Sequence, residues 1–450
     1  MFEAKSRRFF MGAAAAASAM RVMGANDKVN LAIVGLGGRG SAHLNVYSRL
    51  AEAKVVGLCD VNQAAREKAQ ATLTRNGGEK AKEFEDMREA FADGTVEAVS
   101  IATPNHWHAL AAIWAMKAGK DVYGEKPACY NIHEGMKLIE VSRATKRMMQ
   151  VGSQHRSNPF KMKAMEAVQG GLIGKVYAAK GLCYKRRASI GKKPDTPTPP
   201  GVNWDLFLGP APMRPFNELR FRYNWHWFWD TGNGDIGNQG VHELGLARWG
   251  MGDPEYPKSV VSYGGKYAYD DDQETPNTLT SSFDFGGREM SFEVRGLLTG
   301  GEGGVPRGRA QGGAAAAPTA TAPVNGAPLN VMIGNLFYGT EGWAAMSDQG
   351  FQAFKGESNE MVMDLKPERG PNGDPTGLHM QNFLAACKSR NYKDLNDGVE
   401  NSVISANMCH LANISYRVGR KLTLAGGPKF VGDAEANKMI TRNYRKGYEV

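Results

Sequence analysis

The chain has 450 residues, 42% of them hydrophobic and 22% charged, with a formal net charge of +9. Its length exceeds one ordinary domain and its apolar content fills two cores, which excludes a disordered or fibrous chain and points to two globular domains. The positive charge gathers near the N-terminus, at Lys5, Arg7, Arg8 and Arg21, and in a loop-like cluster of Lys185, Arg186, Arg187, Lys192 and Lys193; this suits anionic ligands or solubility and argues against a nucleic-acid groove.

Ser6-Arg7-Arg8-Phe9-Phe10-Met11 precedes a small apolar run at 12–19, in which Ala17-Ser18-Ala19 offers an A-x-A cleavage site. Residues 1–25 thus resemble a twin-arginine export signal, which implies the export machinery as a partner and a periplasmic or otherwise exported location. That route carries folded proteins, so a nucleotide acquired before export travels with the chain. No stretch reaches the ~20 apolar residues of a stable membrane span. The five cysteines, Cys59, Cys129, Cys183, Cys387 and Cys409, are odd in number and widely spaced. They read as buried thiols, with neither a disulfide framework nor a metal site written in them.

From residue 29 strands alternate with helices. Strands are expected at 29–34, 54–59, 98–102, 121–123 and 149–152, and helices at 41–51, 62–74, 107–118, 132–146 and 159–168. This alternation predicts an α/β Rossmann domain over 27–150, with right-handed crossovers and a parallel sheet covered on both faces. After it the segments 175–184, 258–264, 278–285 and 290–297 are strand-like without long helices between them. An α+β domain with an open, largely antiparallel sheet is therefore expected over 151–425. Residues 299–328, dominated by Gly, Ala, Pro and Thr, read as a flexible insertion between two strands. Strands at 336–340 and 342–346 and helices at 379–390 and 400–417 follow; helices within 379–420 are expected near the Rossmann domain, and 426–450 is a tail.

Leu31-Ala-Ile-Val-Gly35-Leu-Gly37-Gly-Arg-Gly40 sets the three glycines of G-x-G-x-x-G between a strand and a helix. Gly35 permits the tight turn, Gly37 lets the backbone approach a pyrophosphate, and Gly40 lets the helix pack on the sheet. Gly38 and Arg39, inside the turn, join the same cofactor set, and free N–H groups at the helix start face the anion. Asp60, twenty residues past Gly40 at the end of the second strand, is placed to accept the ribose hydroxyls. Its carboxylate favours NAD, while Arg66 further along leaves NADP open.

Two more strand ends carry unusual residues: Thr103-Pro104-Asn105 with His108, and Gly124-Glu125-Lys126-Pro127. With the glycine turn they resemble the glucose-fructose oxidoreductase, inositol dehydrogenase and rhizopine-catabolism family, Gfo/Idh/MocA, over essentially the whole chain after Asn26. The resemblance implies cofactor contacts at Thr103, Asn105, His108, Glu125 and Lys126, with Lys126 beside the nicotinamide and the reacting carbinol. A lysine in such a crowded place has a lowered pKa and can exchange a proton with a hydroxyl. His106-Trp107-His108 has no third ligand nearby and is read as packing at a helix start.

The segment Gly234 to Trp249 resembles the family's substrate-domain helix. Family dehydrogenases commonly carry Asp-x-x-x-His there, one turn apart on one face. This chain has Asn238 and His242, so His242 is the candidate acid/base, Asn238 can orient a hydroxyl, and Asp235 is a candidate replacement carboxylate. Tyr223-Asn-Trp225-His226-Trp227-Phe228-Trp229-Asp230 is dense in aromatic rings, which suits either sugar stacking on Trp225 and Trp227 or a loop packed under the sheet. Gln154, His155 and Arg156 match a family position close to the substrate, and Tyr184 and His379 are further substrate-side candidates. The expected chemistry is hydride transfer between NAD(P) and a secondary alcohol of a sugar, cyclitol or glycoside, with a tightly held cofactor. Two other readings stand beside it: a glycoside hydrolase or lyase that works by transient oxidation and elimination, and a non-catalytic sugar-binding homologue. A homodimer or homotetramer is implied by the resemblance alone.

Overall fold

The structure is a computed structural model that describes residues 28–303, 329–368, 370 and 373–450. The signal segment 1–25 and residues 304–328 of the insertion lie outside the described residues. Residues 299–303 are described, and there Glu302 bridges Val331 and pairs with Lys180 at 2.8 Å. The start of the insertion is therefore anchored to the sheet, because Glu302 meets a buried-edge lysine that needs a counter-charge.

Strands β1 (Val29–Val34), β2 (Ala53–Cys59), β3 (Lys82–Phe84), β4 (Ala98–Ile101), β5 (Asp121–Gly124) and β6 (Met149–Val151) form one sheet in the order β3-β2-β1-β4-β5-β6. Every pairing in it is parallel. Its connections are α1 (Gly38–Tyr47), α2 (Gln63–Arg75), α3 (Met87–Ala92), α4 (His108–Lys117) and α5 (Ile132–Thr145). Alternate side chains of β1 divide between two cores: Val29, Leu31 and Ile33 enter one, Ala32 and Val34 the other. A strand covered on both faces has to be apolar throughout, which is why its pattern reads as a continuous run. Strand order reverses between β1 and β4, opening a crevice at the strands' carboxyl ends.

Helix α6 (Pro159–Gln169) leads into the second sheet: β7 (Val176–Cys183), β8 (Ser259–Gly265), β9 (Thr278–Asp284), β10 (Glu289–Arg295), β11 (Ile333–Gly339), β12 (Gly342–Ser347), β13 (Gly350–Lys355), β14 (Glu360–Leu365) and β15 (Leu422–Thr423). Their order is β14-β13-β12-β11-β7-β10-β9-β8-β15, antiparallel except where β7 meets β10. Between β7 and β8 come α7 (Trp204–Leu208) and α8 (Val241–Gly250). Helices α8 and α10 (Val399–Val418) pack on this sheet and on each other. A Cβ on Gly240 would lie 2.5 Å from Phe292 Cζ, so the residue that starts α8 has to be small to let it sit down on β10. Helix α9 (Pro375–Ser389) returns to the first sheet, where Met380, Phe383 and Leu384 share a core with Leu31 and Ile33. Arg390 just past it pairs with Asp121 at the start of β5. A short helix, α11 (Ala434–Lys438), lies near the C-terminus.

Helix α1 begins at Gly38, before the 41–51 span that periodicity suggests, since its first turn carries glycines and no apolar side chain until Leu44 and Tyr47 meet the sheet. Strand β3, with only Phe84 buried, and the one-turn-and-a-half α3 are too short to show a period, and β13 and β14 follow β12 without any sequence signal that separates them. All five cysteines are buried free thiols. Among the described residues no helix is long and apolar enough to cross a membrane.

Burial holds His106 neutral with its pKa at about 3, and His410 at about 4. His43, His108, His155, His226, His242 and His379 are shifted in the same direction, whereas burial raises the carboxyls of Asp60, Glu134 and Glu243. A histidine depressed in the folded state protonates near 6.5 once unfolded, so stability present above pH 6.5 is lost as pH falls toward the folded value. The three carboxyls oppose this, but the histidines outnumber them, and each contributes up to about 1.4 kcal/mol per pH unit. Thermal unfolding followed by circular dichroism is expected to show a midpoint that falls steadily from pH 7 to pH 4.5; a midpoint flat over that interval would contradict neutral burial of the imidazoles.

Candidate functional site

The crevice begins at the glycine turn. Gly35 has φ +83°, and a Cβ there would lie 2.7 Å from the Ala102 carbonyl oxygen, so only glycine closes the turn against β4. A Cβ on Gly40 would fall 1.7 Å from the Gly35 carbonyl oxygen. Cβ atoms on Gly37 or Gly38 would instead meet nothing within 4 Å, and the N-cap of α1 makes no side-chain hydrogen bond. Open space over uncapped N–H groups is what a pyrophosphate requires. Asp60 is held beside it: Leu36 N–H donates to Oδ2 at 2.6 Å and Asn62 N–H to Oδ1 at 2.8 Å. Burial raises the Asp60 pKa against these two hydrogen bonds and the nearby Arg66. Arg66 itself donates to the Asp60 carbonyl oxygen at 2.6 Å. These residues fit a dinucleotide, with Gly35 to Gly40 at the pyrophosphate and Asp60 at the ribose.

The ends of β4 and β5 are tied to this turn through Glu125. Its Oε1 accepts from Arg39 Nε at 2.6 Å and contacts His43 Nε2 at 3.0 Å, while His43 Nδ1 meets Ser100 Oγ at 2.9 Å. Burial pushes the Glu125 carboxyl up, yet Arg39, His43 and Lys126 outweigh it and hold the group well below the usual carboxylate range. Arg39 thus gives its Nε to a buried carboxylate while its side chain stays partly exposed. His108 contacts the Thr103 carbonyl oxygen at 2.8 Å and the Pro127 carbonyl oxygen at 2.7 Å, so it clamps the two strand-end loops together in place of contacting cofactor. Asn105 donates to Asn233 Oδ1 at 2.5 Å and so joins the β4 loop to the second region. Thr103 Oγ1 is buried with no partner among the described residues.

Lys126 extends from β5 to the substrate-domain helix. Its Nζ donates to the Asn238 carbonyl oxygen at 2.5 Å and lies 3.4 Å from Asn238 Oδ1. Burial lowers its pKa, with Glu125 opposing. Asn238 sits in a π-helical turn, Ile236–Gly240, that widens the helix just before α8; such insertions recur at functional sites. The Asn238 side chain donates to Tyr223 Oη at 3.1 Å and to Asp235 Oδ1 at 3.3 Å. Asp235 is not a spare carboxylate: Arg187 grips it with Nη2 at 2.6 Å and Nε at 2.9 Å, and a bidentate guanidinium leaves it no proton-transfer role.

His242 is buried, and its Nδ1 has no partner among the described residues. Burial, with His155 and Lys126 beside it, holds its pKa well below the ordinary value. The His155 ring lies edge-on to it, centroids 4.8 Å apart. Burial likewise takes His155 down to about 3. Lys161 Nζ, itself paired with Asp348 at 2.6 Å, donates to His155 Nδ1 at 2.8 Å. A ring that accepts at Nδ1 carries its proton on Nε2, so the Lys161–Asp348 pair sets the tautomer of His155.

Several expected substrate contacts are occupied elsewhere. Arg156 is bidentate to Asp253, at 2.6 and 3.2 Å, and stacks on Trp249; its guanidinium fastens the loop after α8. Tyr184 Oη lies 2.7 Å from a Glu293 carboxylate oxygen and also contacts Glu302, sharing its one proton within a partly buried cluster that includes Lys180 and Arg295. His379 is fully buried between Val151 O, at 2.8 Å, and Ser157 Oγ, at 2.7 Å, where it joins α9 to β6. Trp225 is stacked on His226, and Trp227 is buried with Arg187 5.1 Å over its ring. The aromatic ring that does reach Asn238 is Tyr223, half exposed at 51%. Gln154 keeps a buried, unpartnered Oε1. Lys161 and Asp348 carried no sequence signal, since 187 residues separate them.

Residues 29–153 match an oxidoreductase family with an NAD-binding Rossmann fold, and residues 163–272 match the C-terminal alpha/beta domain of the same family, together more than half of the chain. An inositol 2-dehydrogenase of Rubrobacter xylanophilus is 30% identical over 169 residues, 37% of this chain and 46% of that protein. A glycosyl hydrolase family 109 protein of a Shewanella species is 27% identical over 154 residues, 33% of this chain and 34% of that protein. The matches thus span less than half the length of these relatives. Among solved structures, the WlbA dehydrogenase from Bordetella pertussis, in complex with NADH and UDP-GlcNAcA, superposes with TM-score 0.60 at 18% identity over 88% of this chain and 98% of that one. A levoglucosan dehydrogenase in complex with NADH and levoglucosan superposes with TM-score 0.63 at 17% identity over 89% of this chain and 100% of that one. These likenesses establish a shared fold: the chain belongs to the Gfo/Idh/MocA oxidoreductase family, with an NAD-binding Rossmann domain followed by an α/β domain.

Proposed function

We propose that the protein moves a hydride between NAD(P) and a secondary alcohol of a sugar, cyclitol or glycoside, with the cofactor held tightly. One observation carries this reading: Lys126, fixed beside the dinucleotide turn, reaches the Asn238 carbonyl oxygen at 2.5 Å, four residues before His242. An ammonium group and a buried imidazole that feels its charge are thereby brought to the carboxyl-end side of the first sheet. NAD(P), when bound, supplies the hydride acceptor or donor. The lowered pKa of Lys126 eases proton exchange with the alcohol oxygen at Nζ. His242, kept neutral by burial, offers an imidazole nitrogen that can receive a proton. Asn238 orients Lys126 through its carbonyl and takes no proton. His155, with its proton on Nε2, donates to a substrate hydroxyl.

A second reading uses the same groups. The family 109 glycosyl hydrolase relatives favour transient oxidation of a glycoside, loss of the aglycone from the acidified neighbouring carbon, and return of the hydride. There the neutral imidazole of His242 takes the carbon-bound proton. Both readings are joined to export: we propose that the twin-arginine segment carries the folded, nucleotide-loaded chain across the membrane.

Incubating the purified chain with sugars, cyclitols and glycosides, with mass spectrometry of the products, is expected to give a keto product with matching NADH. Aglycone release without NADH build-up selects the second reading, and neither product removes both. Lys126→Met is expected to lower kcat about 10²- to 10⁴-fold, the scale of a lost acid/base group, with nucleotide binding retained; an unchanged kcat would refute its role.

Lys161→Met frees the His155 tautomer and is expected to cost about 10- to 100-fold in kcat/KM with restoration by Lys161→Arg, the scale of a misplaced donor. Equal loss in both variants would reduce Lys161 to a packing residue. For export, Arg7→Lys combined with Arg8→Lys is expected to leave the chain in the cytoplasmic fraction on immunoblotting, and an unaltered distribution would disprove the route.

A further inference from the structure

A second concave site lies away from Lys126 and His242. Tyr130, just before α5, and Trp229 face Asn413 and Arg417 of α10 together with Lys438 and Arg442 of the C-terminal region, around a cavity of about 690 Å³. That volume suits a ligand of one or two sugar rings.

Its charge is unbalanced. Arg417, Lys438 and Arg442 make no ion pair with any carboxylate among the described residues. Asp230 at the rim is paired with Arg214 at 2.5 Å, and Glu134 behind the wall is buried against Tyr444 Oη and Asn131, with burial pushing its carboxyl up to about 7 against the pull of Arg442. The two guanidiniums are nevertheless held in place. Arg442 lies 4.4 Å over the Tyr130 ring and Arg417 5.0 Å over the Trp229 ring. Stacking on a ring fixes the plane of a guanidinium and leaves its edge N–H groups free for an anion.

Three buried polar atoms of the lining also lack a hydrogen-bond partner among the described residues, and one of them, Asp230 Oδ2, has only its ion pair with Arg214. Arg442 Nη1 is a donor without an acceptor. Asn413, 5% exposed, spends its Nδ2 on the Asn233 carbonyl oxygen at 3.0 Å and leaves Oδ1 without a donor. Buried polar atoms are rarely left so, because each unmade hydrogen bond costs its full desolvation. An inorganic anion would answer the arginine and not the asparagine. A molecule with both an acidic group and hydroxyls answers both.

We propose that this cavity is a binding site, separate from the nucleotide crevice, for a hydroxylated anion of the sugar-acid or sugar-phosphate class. The acidic group sits between Arg417 and Arg442 within reach of Lys438, and a hydroxyl donates to Asn413 Oδ1. Asn233, which accepts from Asn413 and from Asn105, links this site to the β4 loop.

Isothermal titration of the full chain, saturated with NAD, tests it with D-glucuronate, D-glucose 6-phosphate, D-glucose and inorganic phosphate. Either acidic sugar is expected to bind at one site, and which of them binds decides between carboxylate and phosphate. Arg442→Gln and Arg417→Gln are each expected to weaken that binding about 10-fold or more, the scale of a lost charge-assisted hydrogen bond, with circular dichroism and NAD affinity unchanged. Lys126→Met should leave it intact. The proposal fails if no acidic sugar saturates, if inorganic phosphate binds as tightly as both sugars, or if binding is lost with Lys126→Met and kept with Arg442→Gln.

Discussion

The buried carboxylate of Glu125 is the constraint on which the site depends. It lies at the end of β5, and three elements meet on it: α1 through Arg39 and His43, β4 through the His43 contact with Ser100, and its own chain through Lys126 N–H at 3.2 Å. A Cβ on Gly152 would stand 2.6 Å from Glu125 Oε1, so the residue after β6 must also yield to it. A buried charge is expensive unless paired, and removing one partner of such a pair costs about 3–5 kcal/mol. The price is met by two bases on the helix that follows the glycine turn. The glycine turn and Lys126 are therefore registered against each other by one buried carboxylate.

Around this anchor the protein keeps its ionisable groups in contrasting states. Lys126 is surrounded by Arg39, Glu125 and, further off, Glu243 and Asp235, and burial lowers its pKa. His242 and His155 are neutral because burial and adjacent cations disfavour a further positive charge. Environments that separate the pKa values of neighbouring groups assign acid and base roles among them. The substitution of Asn238 where family dehydrogenases carry aspartate is accommodated in the same way. Its backbone carbonyl takes the lysine, and the nearest carboxylate, Asp235, is neutralised by Arg187 from the loop after β7.

The parts of this arrangement that were legible in the sequence are the ones whose geometry is local. Gly35, Gly37 and Gly40 act within six residues, and the turn they form follows from φ and close approach set by neighbours along the chain. The paired strand ends at Thr103 and Lys126 follow from the alternation of strands and helices. Arg156, Tyr184 and His379 show where sequence reading stops: each is a polar side chain on the expected element, but its direction is set by Asp253, Glu302 and Val151, which lie 97, 118 and 228 residues away. Trp225 and Trp227 were half read. Their rings are spent on His226 and Arg187, and the loop offers Tyr223 instead.

What the sequence determined by itself is the parallel α/β domain, its glycine turn, the acidic residue at the end of β2 and the lysine at the end of β5, since periodicity and local backbone demands act over short spans. Only the tertiary structure decided which groups face one another: Glu125 under Arg39, Lys126 on Asn238, Lys161 behind His155, and the stacked arginines of the second cavity. Those pairings arise from burial, which makes an unpaired charge or an unmade hydrogen bond costly wherever two distant segments are packed together, and that cost has no signature in the order of residues along the chain.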